Sequence, residues 1–191
     1  MINETLRTRS SASRLLDLTG LVAGVVAAGL GLASPAHAQR AASGQAQAML
    51  LETAGKWQAF SSQQGRNKVC YALSKAESRS PANLKDVDGL LFVSSRPAEG
   101  VRNEISFVMN FDLKEGVEHQ AIISDERYAL VAKGQNMWLK NPAEEPRMLD
   151  SMRKGATIEI KGTSRRGNPT SDKYSLAGIT QIVKRAEDAC K

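Results

Sequence analysis

The feature that most constrains this chain is an alternation of apolar and polar residues with a period of two. Over residues 104–111, apolar side chains occupy every second position, at Ile105, Phe107, Met109 and Phe111. Successive side chains of a β-strand point to opposite faces, so this spacing predicts a strand with one buried face. The same period recurs in the segments 56–61, 68–73, 90–95, 117–123, 127–132, 136–140 and 156–161.

Turn-forming dipeptides separate these segments, as at Gln64-Gly65, Asp88-Gly89 and Glu115-Gly116. Glycine next to a polar residue is typical of tight turns between strands. A further strand is expected after the turn that ends at Pro169. About eight or nine short strands at this spacing predict a mainly β fold, either an antiparallel β-sandwich or a barrel-like body. In the segment 68–73, Val69, Tyr71 and Leu73 alternate with Lys68, Cys70 and Ala72.

Helical spacing appears twice. Between Pro142 and Gly155, apolar residues three and four apart predict a short helix near 145–153. A C-terminal amphipathic helix is predicted near 176–189, with Ser175 as its N-cap. Its apolar stripe consists of Leu176, Ile179, Val183, Ala186 and Cys190.

The first residues have the three parts of a secretory signal: a positive start, an uncharged apolar run over 18–33, and an Ala-x-Ala ending. We expect cleavage between Ala38 and Gln39. A membrane anchor is the alternative, but a spanning helix needs about 20 apolar residues and this run is shorter. After cleavage we expect no integral membrane segment, and a periplasmic, envelope or secreted location. The predicted organisation is a signal peptide over 1–38, a flexible leader over 39–51 and a single β-rich domain over 52–191.

The chain contains two cysteines, Cys70 and Cys190. An even number of cysteines in an exported chain favours a disulfide, and two cysteines permit one intramolecular pairing. A zinc or thiol site is the alternative, but it lacks a Cys-x-x-Cys pair and further histidines. We therefore predict a Cys70–Cys190 bridge that would dock the C-terminal helix onto the β body.

Residues suited to catalysis are scarce. His119 is the single histidine that remains after the predicted cleavage, and its pattern places it on a strand surface. A general base needs a positioned partner and a nucleophile, and no motif supplies them. No catalytic residue, metal site or cofactor is predicted. A small envelope hydrolase or isomerase that uses His119 stays open as the alternative function, and carriage of an apolar ligand inside a closed barrel is a third.

The formal net charge is +6, with basic residues concentrated late in the chain. Export separates such a chain from nucleic acid, and aromatic residues, at 5%, are too few to interleave for base stacking. An anionic envelope polymer or lipid phosphate is the better counter-charge, and a role in solubility alone is the alternative. The candidate basic surface comprises Arg153, Lys154, Lys161, Arg165, Arg166 and Lys173.

An ordered series of short segments covers nearly all of 52–191 and includes GKWQAF at 55–60, KVCYAL at 68–73, FVSSRPA at 92–98, VRNEIS at 101–106, WLKN at 138–141, MRKG at 152–155 and YSLAG at 174–178. This series resembles the invasion-associated locus B proteins of alphaproteobacteria. The resemblance implies an exported, envelope-associated β-rich protein with no known enzymatic activity, linked by its family name to host-cell invasion. We therefore expect a non-enzymatic binding module for an envelope or host protein, or for an anionic envelope polymer.

Overall fold

The structure is a computed structural model that describes residues 47–191. The predicted signal peptide, the Ala38–Gln39 cleavage site and most of the predicted leader lie outside these residues. The strands are β1 Met49–Ala54, β2 Trp57–Gln64, β3 Asn67–Lys75, β4 Ser78–Ser80, β5 Leu90–Arg96, β6 Val101–Val108, β7 His119–Ile123, β8 Glu126–Lys133, β9 Asn136–Leu139, β10 Thr157–Thr163 and β11 Pro169–Ser175. The helices are α1 Glu145–Lys154 and α2 Ile179–Ala189, with short 3-10 turns at Ala82–Leu84, Pro97–Glu99 and Pro142–Glu144.

The 11 strands form one sheet in the order β1-β2-β3-β5-β6-β9-β8-β7-β10-β11-β4. Every pair of neighbouring strands is antiparallel. The sheet stays open, with β1 and β4 as its edges, and folds over so that distant strands face each other. The rings of Phe107 on β6 and Tyr174 on β11 lie 6.4 Å apart across this interior. The predicted mainly β antiparallel class is confirmed, and the architecture is sandwich-like.

The two strands that the alternation pattern does not predict are the two edges. β4 is a polar segment of 3 residues, too short to show a period. β1 begins at Met49, inside the segment predicted to be a flexible leader over 39–51. Both strands are defined by pairing with a neighbour, β1 with β2 and β4 with β11, rather than by a pattern of their own.

The interior confirms the alternation of β6, because Ile105, Phe107 and Met109 are fully buried. On β3 the buried set is the one that contains Cys70 and Ala72, while the alternate residues are half-buried on the outside. The reason is tertiary: α2 packs against β1, β2, β3 and β5 from within.

The predicted disulfide is present between Cys70 on β3 and Cys190 directly after α2, with a Cα–Cα distance of 5.8 Å. α1 confirms the predicted short helix. α2 begins at Ile179 rather than near 176, so Ser175 is not its N-cap. Ser175 is the last residue of β11 and pairs with Thr157, and Gly178 with a φ of 93° caps the helix instead.

Candidate functional site

The outer surface of the first half of the sheet carries a row of aromatic side chains that crosses the strands. We call the surface formed by Leu50, Phe60, Tyr71, Phe92 and Trp138 the aromatic face. Phe60 pairs with Leu50 on one side and with Tyr71 on the other, so these side chains point the same way. Further strand pairs continue the face through Leu73↔Phe92, Phe92↔Ser106 and Ser106↔Trp138.

The aromatic rings of this face contact one another. Phe60 and Tyr71 stack with centroids 5.2 Å apart and an interplanar angle of 20°. Tyr71 and Phe92 are 5.7 Å apart and tilted by 56°. Each of these rings is half-buried, and Leu50 at the end of the row is 50% exposed. Burial raises the pKa of the Tyr71 hydroxyl above its ordinary value.

Two cations at the margin of the aromatic face, Arg96 and Lys75, are paired with carboxylates. Arg96 donates to both carboxylate oxygens of Glu104 at 3.1 Å and to Glu99 at 2.7 Å. These hydrogen bonds raise the pKa of Arg96 further above its ordinary value. On the opposite margin, Lys75 binds Asp88 at 2.6 Å. The face therefore has an apolar centre and a margin on which Arg96 and Lys75 are neutralised, whereas Arg102 beside Trp138 has no ion-pair partner within residues 47–191.

A second candidate is a cavity of about 270 Å³ beside the turn between β10 and β11. We call it the hairpin cavity. The turn is held by hydrogen bonds from Ser164 N to Asn168 O and from Gly167 N to Ser164 O. The cavity wall combines the apolar Pro81, Leu84 and Phe111 with the polar Arg165, Arg166 and Thr170.

The charges around the hairpin cavity do not cancel. Arg165 forms an ion pair with Asp112 at 3.1 Å, whereas Arg166 has no ion-pair partner within residues 47–191. Thr170 is 6% exposed, and its hydroxyl has no hydrogen-bond partner in the part of the chain that the structure describes. Behind the cavity, the Arg79 guanidinium lies 5.6 Å from the centroid of the Phe111 ring.

The residues of the predicted basic surface lie at the end of α1, on β10 and β11, and in the turn between these two strands. Arg153 and Lys154 lie at the end of α1, where Arg153 pairs with Asp150 at 3.2 Å and with Glu187 at 3.6 Å. Lys161 and Lys173 lie on β10 and β11 on the outside of the sheet. Arg165 and Arg166 are the pair of predicted residues that line a cavity together. The late concentration of basic residues in the sequence is thus divided among three parts of the fold.

His119 is 1% exposed, so its predicted place on a strand surface is wrong. It begins β7 and shares the inward register with Ala121 and Ile123. Its Nδ1 accepts from the backbone N–H of Thr163 at 3.2 Å, and its Nε2 lies 3.0 Å from the backbone oxygen of Lys114. A neutral ring with its proton on Nε2 satisfies both contacts. Within residues 47–191, no carboxylate or hydroxyl is among its hydrogen-bond partners, so this geometry lends the His119 hydrolase hypothesis no support.

No family model, curated protein or solved structure matches this chain. Residues 47–191 contain no helix that is both long enough and apolar enough to cross a bilayer. In the same part of the chain, no three His, Cys, Asp or Glu side chains are grouped to hold a metal ion.

The aromatic face is not predicted from the sequence, because the alternation of side chains along β3 does not show which side of the strand is buried. As a set, Lys68, Cys70 and Ala72 are no more apolar than Val69, Tyr71 and Leu73, with which they alternate. The disulfide carries the missing signal: if Cys190 lies on the inner stripe of a docked helix, Cys70 must face that helix. Tyr71 must then point outward.

Proposed function

We propose that this chain is an exported, non-enzymatic binding module of the cell envelope that docks a partner protein through its aromatic face. The resemblance to invasion-associated locus B proteins supports an envelope role, and the predicted signal supports export. The Cys70–Cys190 disulfide agrees with an oxidising compartment, because such bonds are rare where thiols are kept reduced.

The observation that carries this proposal is the contact series Phe60–Tyr71–Phe92 on the outer surface of the sheet. Both helices pack into the interior, on the other side of these strands. Aromatic side chains are enriched and charged side chains depleted at the centre of protein interfaces. A contiguous exposed apolar patch on a folded domain marks a surface that another molecule covers.

The charge distribution favours a protein partner with an apolar surface over an anionic polymer. A polyanion would require cations that are free to bind it. At the margin of the aromatic face Arg96 and Lys75 are committed to carboxylates, although Arg102 beside Trp138 forms no ion pair within residues 47–191. Docking an apolar surface leaves these pairs at the solvated rim, where they cost little to retain.

The proposal can be tested by replacing Tyr71 with the photo-crosslinking residue p-benzoylphenylalanine in exporting cells. We expect one discrete adduct with a partner protein, because position 71 lies at the centre of the aromatic row. The matched control carries the same crosslinker at Lys173, an exposed position on the outside of β11. Adding Phe92→Ser should abolish the adduct, while adding Arg127→Gln on β8 should leave it unchanged.

Other results would overturn the proposal. An adduct with twice the mass of this chain would assign the face to a second copy. Equal adducts from positions 71 and 173 would mean that the capture is nonspecific. Retention on an anionic envelope polymer that is lost with Phe92→Ser would assign the face to that polymer. Thermal unfolding of each purified variant distinguishes a lost contact from a misfolded domain.

A further inference from the structure

We propose that the hairpin cavity binds a small organic acid that carries one negative charge and an apolar body. The cavity is separate from the aromatic face, so this inference does not depend on the proposed function. It rests on the size of the cavity, on the apolar part of its wall and on its uncompensated charge.

The size of the cavity limits the ligand. Ligand pockets for drug-sized molecules span about 300–1,000 Å³, and this cavity, at about 270 Å³, lies just below that range. It therefore suits a molecule the size of one aromatic acid or one sugar acid rather than a polymer. Pro81, Leu84 and Phe111 form the apolar part of the wall, against which a ring can pack.

The charge of the cavity sets the charge of the ligand. Arg165 and Arg166 contribute two cations, and Asp112 pairs with Arg165 at 3.1 Å. One positive charge is left without a partner in the described part of the chain. A singly charged carboxylate balances it, whereas a doubly charged phosphate monoester would face the Asp112 carboxylate with excess negative charge. Guanidinium groups bind carboxylates through paired, charge-assisted hydrogen bonds.

The polar wall supplies further donors. Thr170 lines the cavity, and its hydroxyl has no partner among the described residues. A buried hydroxyl without a hydrogen bond is unfavourable. The Thr170 hydroxyl oxygen is itself buried, since a Cβ atom at Gly162 would lie 2.9 Å from it, so the hydroxyl reaches a ligand oxygen only after rotating toward the cavity. The side-chain amides of Asn83 and Asn168 also line the cavity.

The position of Phe111 in the cavity wall is fixed by its neighbours. Phe111 contacts the cavity and also lies against the Arg79 guanidinium. Arg79 is in turn fixed by Asp172, which pairs with it at 2.7 Å. An apolar ligand body would therefore meet a surface that is already positioned, which reduces the entropy lost on binding.

The test is a titration of the purified domain, residues 39–191, followed by two-dimensional amide NMR. The probes are benzoate and glucuronate, with benzamide and glucose as uncharged counterparts of similar shape. We expect the acids to shift the amides of Phe111, Arg166 and Thr170 in a saturable way, and the uncharged counterparts to cause no such shifts. Vesicles of phosphatidylglycerol, compared with phosphatidylcholine, test whether the anion is instead a lipid headgroup.

Arg166→Gln should weaken binding by roughly tenfold or more, the loss expected for one charge-assisted hydrogen bond. The matched control is Arg127→Gln, which removes an exposed arginine from β8, outside the cavity. Thermal unfolding shows whether each variant retains the fold.

The inference is overturned if neither acid binds at millimolar concentration, or if the uncharged counterparts bind equally well. It is also overturned if Arg166→Gln and Arg127→Gln weaken binding to the same extent, since that indicates only general attraction to a basic protein. Binding to phosphatidylglycerol vesicles without binding to either free acid would replace the small acid by a lipid headgroup.

Discussion

Arg79 on β4 and Asp172 on β11 form an ion pair that is almost completely buried. Arg79 Nη2 lies 2.7 Å from Asp172 Oδ2, and the two side chains are 4% and 0% exposed. Arg79 also donates to the backbone oxygens of Val87 and Met109. The guanidinium therefore joins an edge strand, the loop after it and the end of β6. Burial raises the pKa of Asp172, and the hydrogen bond from Arg79 opposes that rise.

Breaking this pair should destabilise the fold strongly. Arg79→Met leaves a buried carboxylate without its cation, and removal of one partner from a buried pair costs about 3–5 kcal/mol. Urea unfolding of the two proteins measures the difference. The double variant Arg79→Met with Asp172→Leu should recover part of the loss, because it removes the orphaned charge. A loss below about 1 kcal/mol in the single variant would show that the pair is not buried as described.

The disulfide should be a major source of stability, because it joins residues with a sequence separation of 120. Closing a loop of that length restricts the unfolded chain. In the chain-entropy model this restriction stabilises the folded state by about 4–5 kcal/mol. Cys190→Ser should lower the free energy of unfolding by an amount of that order. The double variant with Cys70→Ser should behave like the single variant, and a reducing agent should destabilise only the parent protein. Two titratable thiols in the unreduced parent protein would contradict the bridge.

Glu126 should make the fold sensitive to acid. Hydrogen bonds from the Tyr128 hydroxyl and from Ser151, the latter at 2.7 Å, lower the pKa of Glu126 below its ordinary value of 4.5. A carboxylate whose pKa is lower in the folded than in the unfolded state stabilises the fold above its unfolded pKa. That stability is lost as the pH falls through the folded pKa.

Melting temperatures measured from neutral pH down to about pH 3 test this linkage. Glu126→Gln should be less stable than the parent at neutral pH and should lose less stability on acidification. The control is Asp125→Asn at the neighbouring exposed position, which accepts no side-chain hydrogen bond that the structure shows within residues 47–191. The linkage is refuted if Glu126→Gln and the parent protein lose stability in parallel.

Gly178 should tolerate no side chain. Its φ is 93°, and a Cβ atom there would lie 2.5 Å from the backbone oxygen of Ala54. Gly134 also has a positive φ, of 60°, but a Cβ atom there would meet no atom within 4 Å. Gly134→Ala should therefore cost about 1–2 kcal/mol, the penalty of the left-handed conformation. Gly178→Ala should cost clearly more in urea unfolding, and equal losses would contradict the close approach of α2 to β1.

The strands of the interior were predictable because side-chain direction in a strand is a local property. The register of Ile105, Phe107 and Met109 reads directly from their spacing. Edge strands cannot be predicted in this way, since β4 is defined by its pairing with β11 and not by a side-chain pattern of its own. The predicted start of α2 is wrong because Ser175, its predicted cap, pairs with Thr157 as the last residue of β11.

The candidate surfaces were less predictable than the strands. Arg165 and Arg166 were visible as basic residues, but the cavity beside them also requires Pro81 and Phe111, which are distant in the chain. The aromatic rings of β2, β3 and β5 are likewise brought together by strand order. A sequence pattern shows which residues can be buried, and it does not show which neighbours they meet.

By itself, the sequence determined that this chain folds as antiparallel strands with two helices and one disulfide. Strand periodicity and turn residues are encoded within short segments. The disulfide pairing follows because the chain contains two cysteines, which permit one intramolecular bridge. Only the tertiary structure decided that α2 covers Cys70 and leaves Tyr71 outside, that His119 is buried, and that Arg166 lines a cavity. Each of these outcomes depends on long-range packing, in which burying one face of a strand leaves the other available for binding.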